Sequence, residues 1–170
     1  MAEDRKQDAI ALLKADHRAV EELFEQFEAA RSAAAKRQLA TQICLELTVH
    51  TRIEEEIFYP ACEGKIEEDL LKEAYVEHDG AKVLIAEIEA GSPEDEYYDA
   101  KVKVLSEQIE HHVEEEEMRM EGMFSQARKA GLDMDALGDE LRARKEALIA
   151  EYKASGLPRP ETTTLETTSL

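Results

Sequence analysis

Four histidines of this chain stand in two copies of one pattern: an acidic residue followed by His, then His-x-x-x-Glu about 33 residues further on. The first copy is Asp16-His17 and His50-Thr51-Arg52-Ile53-Glu54. The second is Glu77-His78 and His112-Val113-Glu114-Glu115-Glu116. His17 and His50 are 33 residues apart, and His78 and His112 are 34 apart, so the chain reads as one unit written twice. Together the copies offer four imidazoles and two carboxylates. That nitrogen and oxygen donor set, free of thiolates, suits a dinuclear iron or manganese site.

The segments carrying these residues have helical periodicity. Ile10, Leu13, His17, Val20, Phe24 and Phe27 recur at three- and four-residue steps and predict a helix over Asp4 to Ala30. A second helix is predicted over Ala33 to Tyr59, ahead of the turn residues Pro60 and Gly64. A third covers Glu67 to Ala90. Gly91 then ends that helix, Ser92 is placed to cap the next, and Pro93 suits its first position. This fourth helix is expected to reach Lys129, with a weak point at Gly122. A fifth spans Met134 to Ala154. Only 7 glycines and 4 prolines occur in 170 residues, which agrees with an all-helical chain. Long helices with short connections favour an antiparallel up-down-up-down bundle. The expected organisation is one domain over residues 1–155, its metal-binding bundle at about 4–130 and the extra helix at about 134–154. The Pro- and Thr-rich tail, 156–170, is expected to be largely disordered.

At about 100° per residue, helical phase separates inward from outward side chains. His17, His50 and His78 fall inside the apolar stripes of their helices, and Glu54 lies one turn beyond His50 on the same stripe. An unpaired carboxylate there is costly. On the fourth helix the inner face is set by Leu105, Ile109, Val113, Met120 and Met123. His112 and Glu116 lie near it, whereas His111 and Glu115 lie toward the polar flank. A single inward His is most simply a hydrogen-bonded core residue. Four on successive helices, two with Glu at i+4, would each need a buried partner, and a shared metal site satisfies all six. The i,i+4 spacing sets His50 beside Glu54, and His112 beside Glu116, so that each carboxylate can bridge adjacent metal positions. Three further residues are candidates for supporting roles: Tyr75, one turn before His78; Glu46, one turn before His50 and able to orient it; and His111. Phe24, Phe58, Tyr59 and the methionines Met118, Met120 and Met123 read as packing.

Asp16-His17, HTRIEEEIFYP from His50 to Pro60, Glu77-His78, and HHVEEEE from His111 to Glu117 resemble the hemerythrin-like, or HHE cation-binding, family over roughly residues 8–128. The resemblance implies a four-helix bundle around a non-haem di-iron centre, oxo- or hydroxo-bridged, that meets dioxygen, peroxide or nitric oxide, with manganese as an alternative metal. Carried over, the ligands are His17, His50, Glu54, His78, His112 and Glu116. The chain departs from oxygen-carrying hemerythrins in lacking a second histidine on the third helix: Ala74 and Lys82 stand four residues either side of His78. The fourth helix also supplies Glu at i+4, where the carriers use Asp one residue later. A site one imidazole short is expected to favour redox turnover, sensing or metal handling over oxygen carriage. Ferritin-like Glu-x-x-His pairs are absent, since no Glu stands three residues before any histidine.

The formal net charge of −19 argues against nucleic acid or an anionic membrane as partner. Cys44 and Cys62 form neither a disulfide framework nor a zinc-ligand pair. No leader-like apolar stretch or membrane span is evident, so a cytoplasmic setting is expected. Three functions compete: a di-iron binder or sensor in oxidative-stress response, a catalase- or peroxidase-like enzyme on the same site, and a helical interaction or iron-handling protein with a structural metal.

Overall fold

The computed structural model describes residues 6–166. Asp4 and Arg5 of the expected first helix, and residues 167–170 of the tail, lie outside the described residues. Helices α1 (Ala9–Ala29), α2 (Ala33–Ile53), α4 (Glu68–Ala90) and α5 (Tyr98–Glu117) form the four-helix bundle. A π-helical turn, Glu54–Phe58, continues α2 into the short α3 (Tyr59–Cys62), and α6 (Met123–Lys129) follows α5. Helix α7 (Met134–Ser155) packs against α1 and α2. Side-chain caps fix three starts: Asp8 accepts from the Ala11 amide, Ser32 from that of Ala35, and Asp133 from that of Ala136.

Two apolar clusters lie along the bundle. One gathers Leu12, Leu13, Ile53, Phe58, Met123 and Phe124 with Leu141 and Leu148 of α7. The other gathers Val20, Phe24, Ile43, Leu47, Ile85, Leu105 and Ile109. The inward His and Glu side chains occupy the layer between them. Gly138 lets α7 approach this closely, because a Cβ there would stand 2.9 Å from backbone atoms of Gln7, Asp8 and Ala9.

Three expectations about the elements are corrected. Helix α5 begins at Tyr98, not after Ser92, because the Asp95 carboxylate takes the Ser92 amide at 2.8 Å and the segment folds into turns. It also stops at Glu117. The next residues bend so tightly that a Cβ on Gly122 would meet the Met118 carbonyl at 2.5 Å. Met120 therefore lies outside the inner face and is 71% exposed, while Met123 is buried from α6. The second helix does not run as plain α-helix to Tyr59, since the π-turn interrupts it. Within the described part of the tail, the amides of Thr163, Thr164 and Leu165 all donate to the Asp79 carboxylate.

Candidate metal centre

Helix α1 contributes His17, α2 His50, the π-turn Glu54, α4 His78, and α5 His112 and Glu116. All six are buried. Their donor atoms form two triads, His17–His50–Glu116 and Glu54–His78–His112. Within them the imidazoles meet nose to nose: His17 Nε2 lies 3.2 Å from His50 Nε2, and His78 Nε2 lies 3.1 Å from His112 Nε2. Ligands about 2.1 Å from one cation and at right angles are about 3 Å apart. Each carboxylate reaches both pairs. Glu116 Oε1 is 3.3 Å from His17 Nε2 and from His112 Nε2, and Glu54 Oε1 is 2.8 Å from His50 Nε2 and 3.5 Å from His78 Nε2.

Hydrogen bonding does not account for this crowding. Among the described residues, both oxygens of Glu54, together with Glu116 Oε1, are buried without a hydrogen-bond partner, although ring nitrogens stand close by. Each such orphan costs about 1–3 kcal/mol, and more when charged. Hard oxygen donors and imidazoles aimed at common points fit a pair of transition-metal cations.

The electrostatics carry the same message. Burial pushes protons off His50 and His112, but the Glu54 and Asp16 carboxylates outweigh it at His50, and Glu116 and Glu77 at His112. His50 is held well above its ordinary value, and His112 is raised to about 10. His17 is raised by Glu116 and Glu117 against the same burial. Burial opposes ionisation of Glu116, yet His112 and His17 bring it well below the usual carboxylate range. The layer thus demands positive charge, which protons or metal ions supply.

Carboxylates brace three imidazoles from behind. Glu117 stands 2.6 Å from His17 Nδ1, Asp16 2.9 Å from His50 Nδ1, and Glu77 2.9 Å from His112 Nδ1. Two of these are backed by cations, Arg18 on Glu117 and Lys145 of α7 on Asp16. Such outer partners fix ring orientation and strengthen the donor nitrogen.

The three supporting candidates fall elsewhere. Glu46 accepts from Gln42 and does not orient His50, whose Nδ1 is already taken by Asp16. Tyr75 packs edge-on against the Tyr59 ring, and it is the Tyr59 hydroxyl that reaches the ligand atoms. His111 projects outward, its side chain 63% exposed, between Glu77 and Glu115. Tyr59, read from the sequence as packing, reaches the centre: its hydroxyl lies 3.1 Å from His78 Nε2, 3.2 Å from His112 Nε2 and 3.1 Å from Glu116 Oε2. The π-turn puts it there. The Tyr59 amide bonds to the Glu54 carbonyl five residues back, and the extra residue rotates Tyr59 onto the face of His50 and Glu54. Burial and the Glu116 and Glu54 carboxylates push its phenol well above the usual range.

Beside the centre is a cavity of about 10 Å³, lined by the four inward histidines, by Val20, Leu47, Ile109 and Val113, and by the polar residues Asp16, Glu46 and Thr51. No described helix is long and apolar enough to cross a membrane.

The chain is similar to known proteins in sequence and in fold. A DNA nickase from Nostoc sp. (strain PCC 7120 / SAG 25.82 / UTEX 2576) is 29% identical over 106 residues, or 62% of this chain, and the chain spans 30% of that relative's length. The crystal structure of a hemerythrin HHE cation binding domain-containing protein from Mycobacterium kansasii superposes with a TM-score of 0.74 at 21% identity. It covers 89% of this chain and 95% of that one, a likeness of fold. The hemerythrin HHE cation binding domain matches residues 8–124, which include every residue of both triads and Tyr59. The chain therefore belongs to the hemerythrin HHE cation-binding domain family.

Proposed function

We propose that this protein holds two iron ions in the buried layer and uses them on dioxygen, peroxide or nitric oxide in redox defence or sensing, not in oxygen carriage. The observation that carries the reading is the convergence of two His/Glu triads on orphaned carboxylate oxygens. His17 and His50 would hold one ion, His78 and His112 the other, and Glu54 and Glu116 would bridge them. Paired iron supplies one-electron changes at two adjacent centres. The chain's own residues define who reaches them. The cavity has room for about one water-sized molecule, so small ligands enter and organic substrates do not. Beyond the histidines its walls are mainly aliphatic, with Asp16, Glu46 and Thr51 as the further polar residues, while Tyr59 puts a phenol hydroxyl beside the His78 and His112 nitrogens. That asymmetry favours turnover over reversible carriage. The nickase match leaves contact with nucleic acid open, although a net charge of −19 works against a polyanion.

Iron reconstitution tests the reading. Two irons per chain and an absorption spectrum altered by peroxide are expected, and well under one iron per chain would overturn it. The reduced protein should oxidise in air without a reversible oxygenated form. Stable, reversible oxygenation with no effect of peroxide would restore the carrier reading.

A further inference from the structure

Among the described residues, His78 is the inward imidazole whose carboxylate, Glu55, stands farthest from Nδ1; the other three are braced at 2.6–2.9 Å. Glu55 Oε2 lies 3.7 Å from its Nδ1, an ion-pair contact longer than a hydrogen bond, and among the described residues that nitrogen has no hydrogen-bond partner although the residue is 1% exposed. Glu55 is shared with other donors, at the oxygen facing His78 and at the one behind it. Lys82 Nζ stands 2.8 Å from Oε2 and 3.1 Å from Oε1, and the Thr163 hydroxyl donates to Oε1 at 3.1 Å. Thr163 belongs to the C-terminal segment, which is anchored beside His78. The amides of Thr163, Thr164 and Leu165 and the hydroxyl of Thr164 converge on the Asp79 carboxylate at 2.5–3.1 Å. Lys82 joins the two halves of this network, reaching Asp79 at 3.3 Å. Besides the apolar contact of Leu157, the segment thus docks through one fully buried carboxylate.

We propose that the docked C-terminal segment is a positioning element for His78: by holding Glu55 it withholds from this imidazole the carboxylate hydrogen bond that the other three have. When the segment leaves, Glu55 closes on Nδ1. An imidazole whose Nδ1–H donates to a carboxylate is the stronger donor at Nε2. Docking therefore keeps His78 the weakest of the four, and release favours the more oxidised metal. The metal-tuning half of this rests on His78 being a ligand. The hydrogen-bond half does not.

The test uses the full chain. Thr163→Val removes the hydroxyl that holds Glu55 and leaves the amide donors in place. Thr163→Pro removes both, and Lys82→Met frees Glu55 from the opposite side. Imidazole ¹H–¹⁵N spectra are recorded on metal-free and zinc-loaded protein, and the midpoint potential is measured on iron-loaded protein. In the wild type the His78 Nδ1–H resonance should stand apart from those of His17, His50 and His112. In all three variants it should move downfield toward them, and adding Glu55→Gln should abolish the move. A wild-type resonance already among the other three, or one unmoved in every variant, overturns the proposal. The midpoint potential should fall in the variants. A shifted resonance with an unchanged potential overturns the tuning half. Failure to bind zinc or iron overturns the metal reading while the metal-free spectra still decide the role of the segment.

Discussion

Tyr59 brings a phenol oxygen into a space where two imidazole nitrogens and a carboxylate oxygen already crowd. Because it sits on the His78–His112 side, Tyr59→Phe should affect one of two metal equivalents. A cobalt(II) or iron(II) titration should then resolve two steps, the weaker lowered by at least about tenfold, and identical affinities in variant and wild type would rule this out. Helical phase makes a second expectation. His112→Ala and Glu116→Ala should lose bound iron, whereas His111→Ala, whose ring projects outward, should keep it. Equal loss in both His variants would contradict the burial pattern. The six inward residues were legible in the sequence because five lie on regular α-helical stripes and Glu54 opens the π-turn while still one α-helical turn from His50, so i,i+4 spacing translates directly into a shared face. Tyr59 was not, since a count at 100° per residue fails across the one turn that carries an extra residue. Asp16, Glu77 and Glu117 had a readable signal: each is the acidic chain neighbour of an inward motif residue.

At the scale of elements, the repeated unit set the bundle, and the exceptions arose where side chains competed with the backbone. Asp95 captures the Ser92 amide and delays α5, and crowding at Gly122 divides α5 from α6. Hydrophobic pattern revealed the existence of α7 but not its second role, which rests on Lys145. That ammonium backs Asp16, and Asp16 orients His50. Lys145→Met keeps an apolar stem of similar length and removes the charge. It should weaken metal binding by about 10–100-fold without loss of helicity, as read by chelator competition and circular dichroism, and unaltered affinity would show that Asp16 needs no cation behind it. The cysteines mark how closed these packed elements are. Cys62 is raised to about 12 by burial and by the Glu54 and Glu116 carboxylates, and Cys44 is pushed higher still by burial and Glu89. Both thiols should resist a disulfide reagent at neutral pH in the native protein and react only on unfolding. Rapid native labelling of either would indicate that the bundle opens locally.

For the whole molecule, the buried layer makes stability depend on which positive charges fill it. His112 titrates near an ordinary 6.5 when unfolded and about 10 when folded. A raised value means that the folded form binds the proton more tightly, so its stabilisation of the metal-free fold is complete below 6.5 and is lost as pH rises through about 10. His50 is shifted in the same direction. Glu116 runs oppositely: its depressed value stabilises above the ordinary 4.5 and is lost only as pH falls through the lower folded value. Metal-free protein should therefore unfold at steadily lower temperature between pH 6.5 and about 10, as the carboxylates of the layer lose their counter-charge. Metal ions take over that charge, and taking them up requires the imidazoles to shed their protons. Metal-loaded protein should thus show little alkaline loss in thermal melts. Uptake at neutral pH should release protons, detectable by calorimetry in buffers of different ionisation enthalpy, and should tighten as pH rises. A metal-free protein whose melting temperature is flat across that range, with no proton release on metal addition, would mean that the imidazoles are neutral in the fold, and that the layer is held by packing of the two apolar clusters on either side.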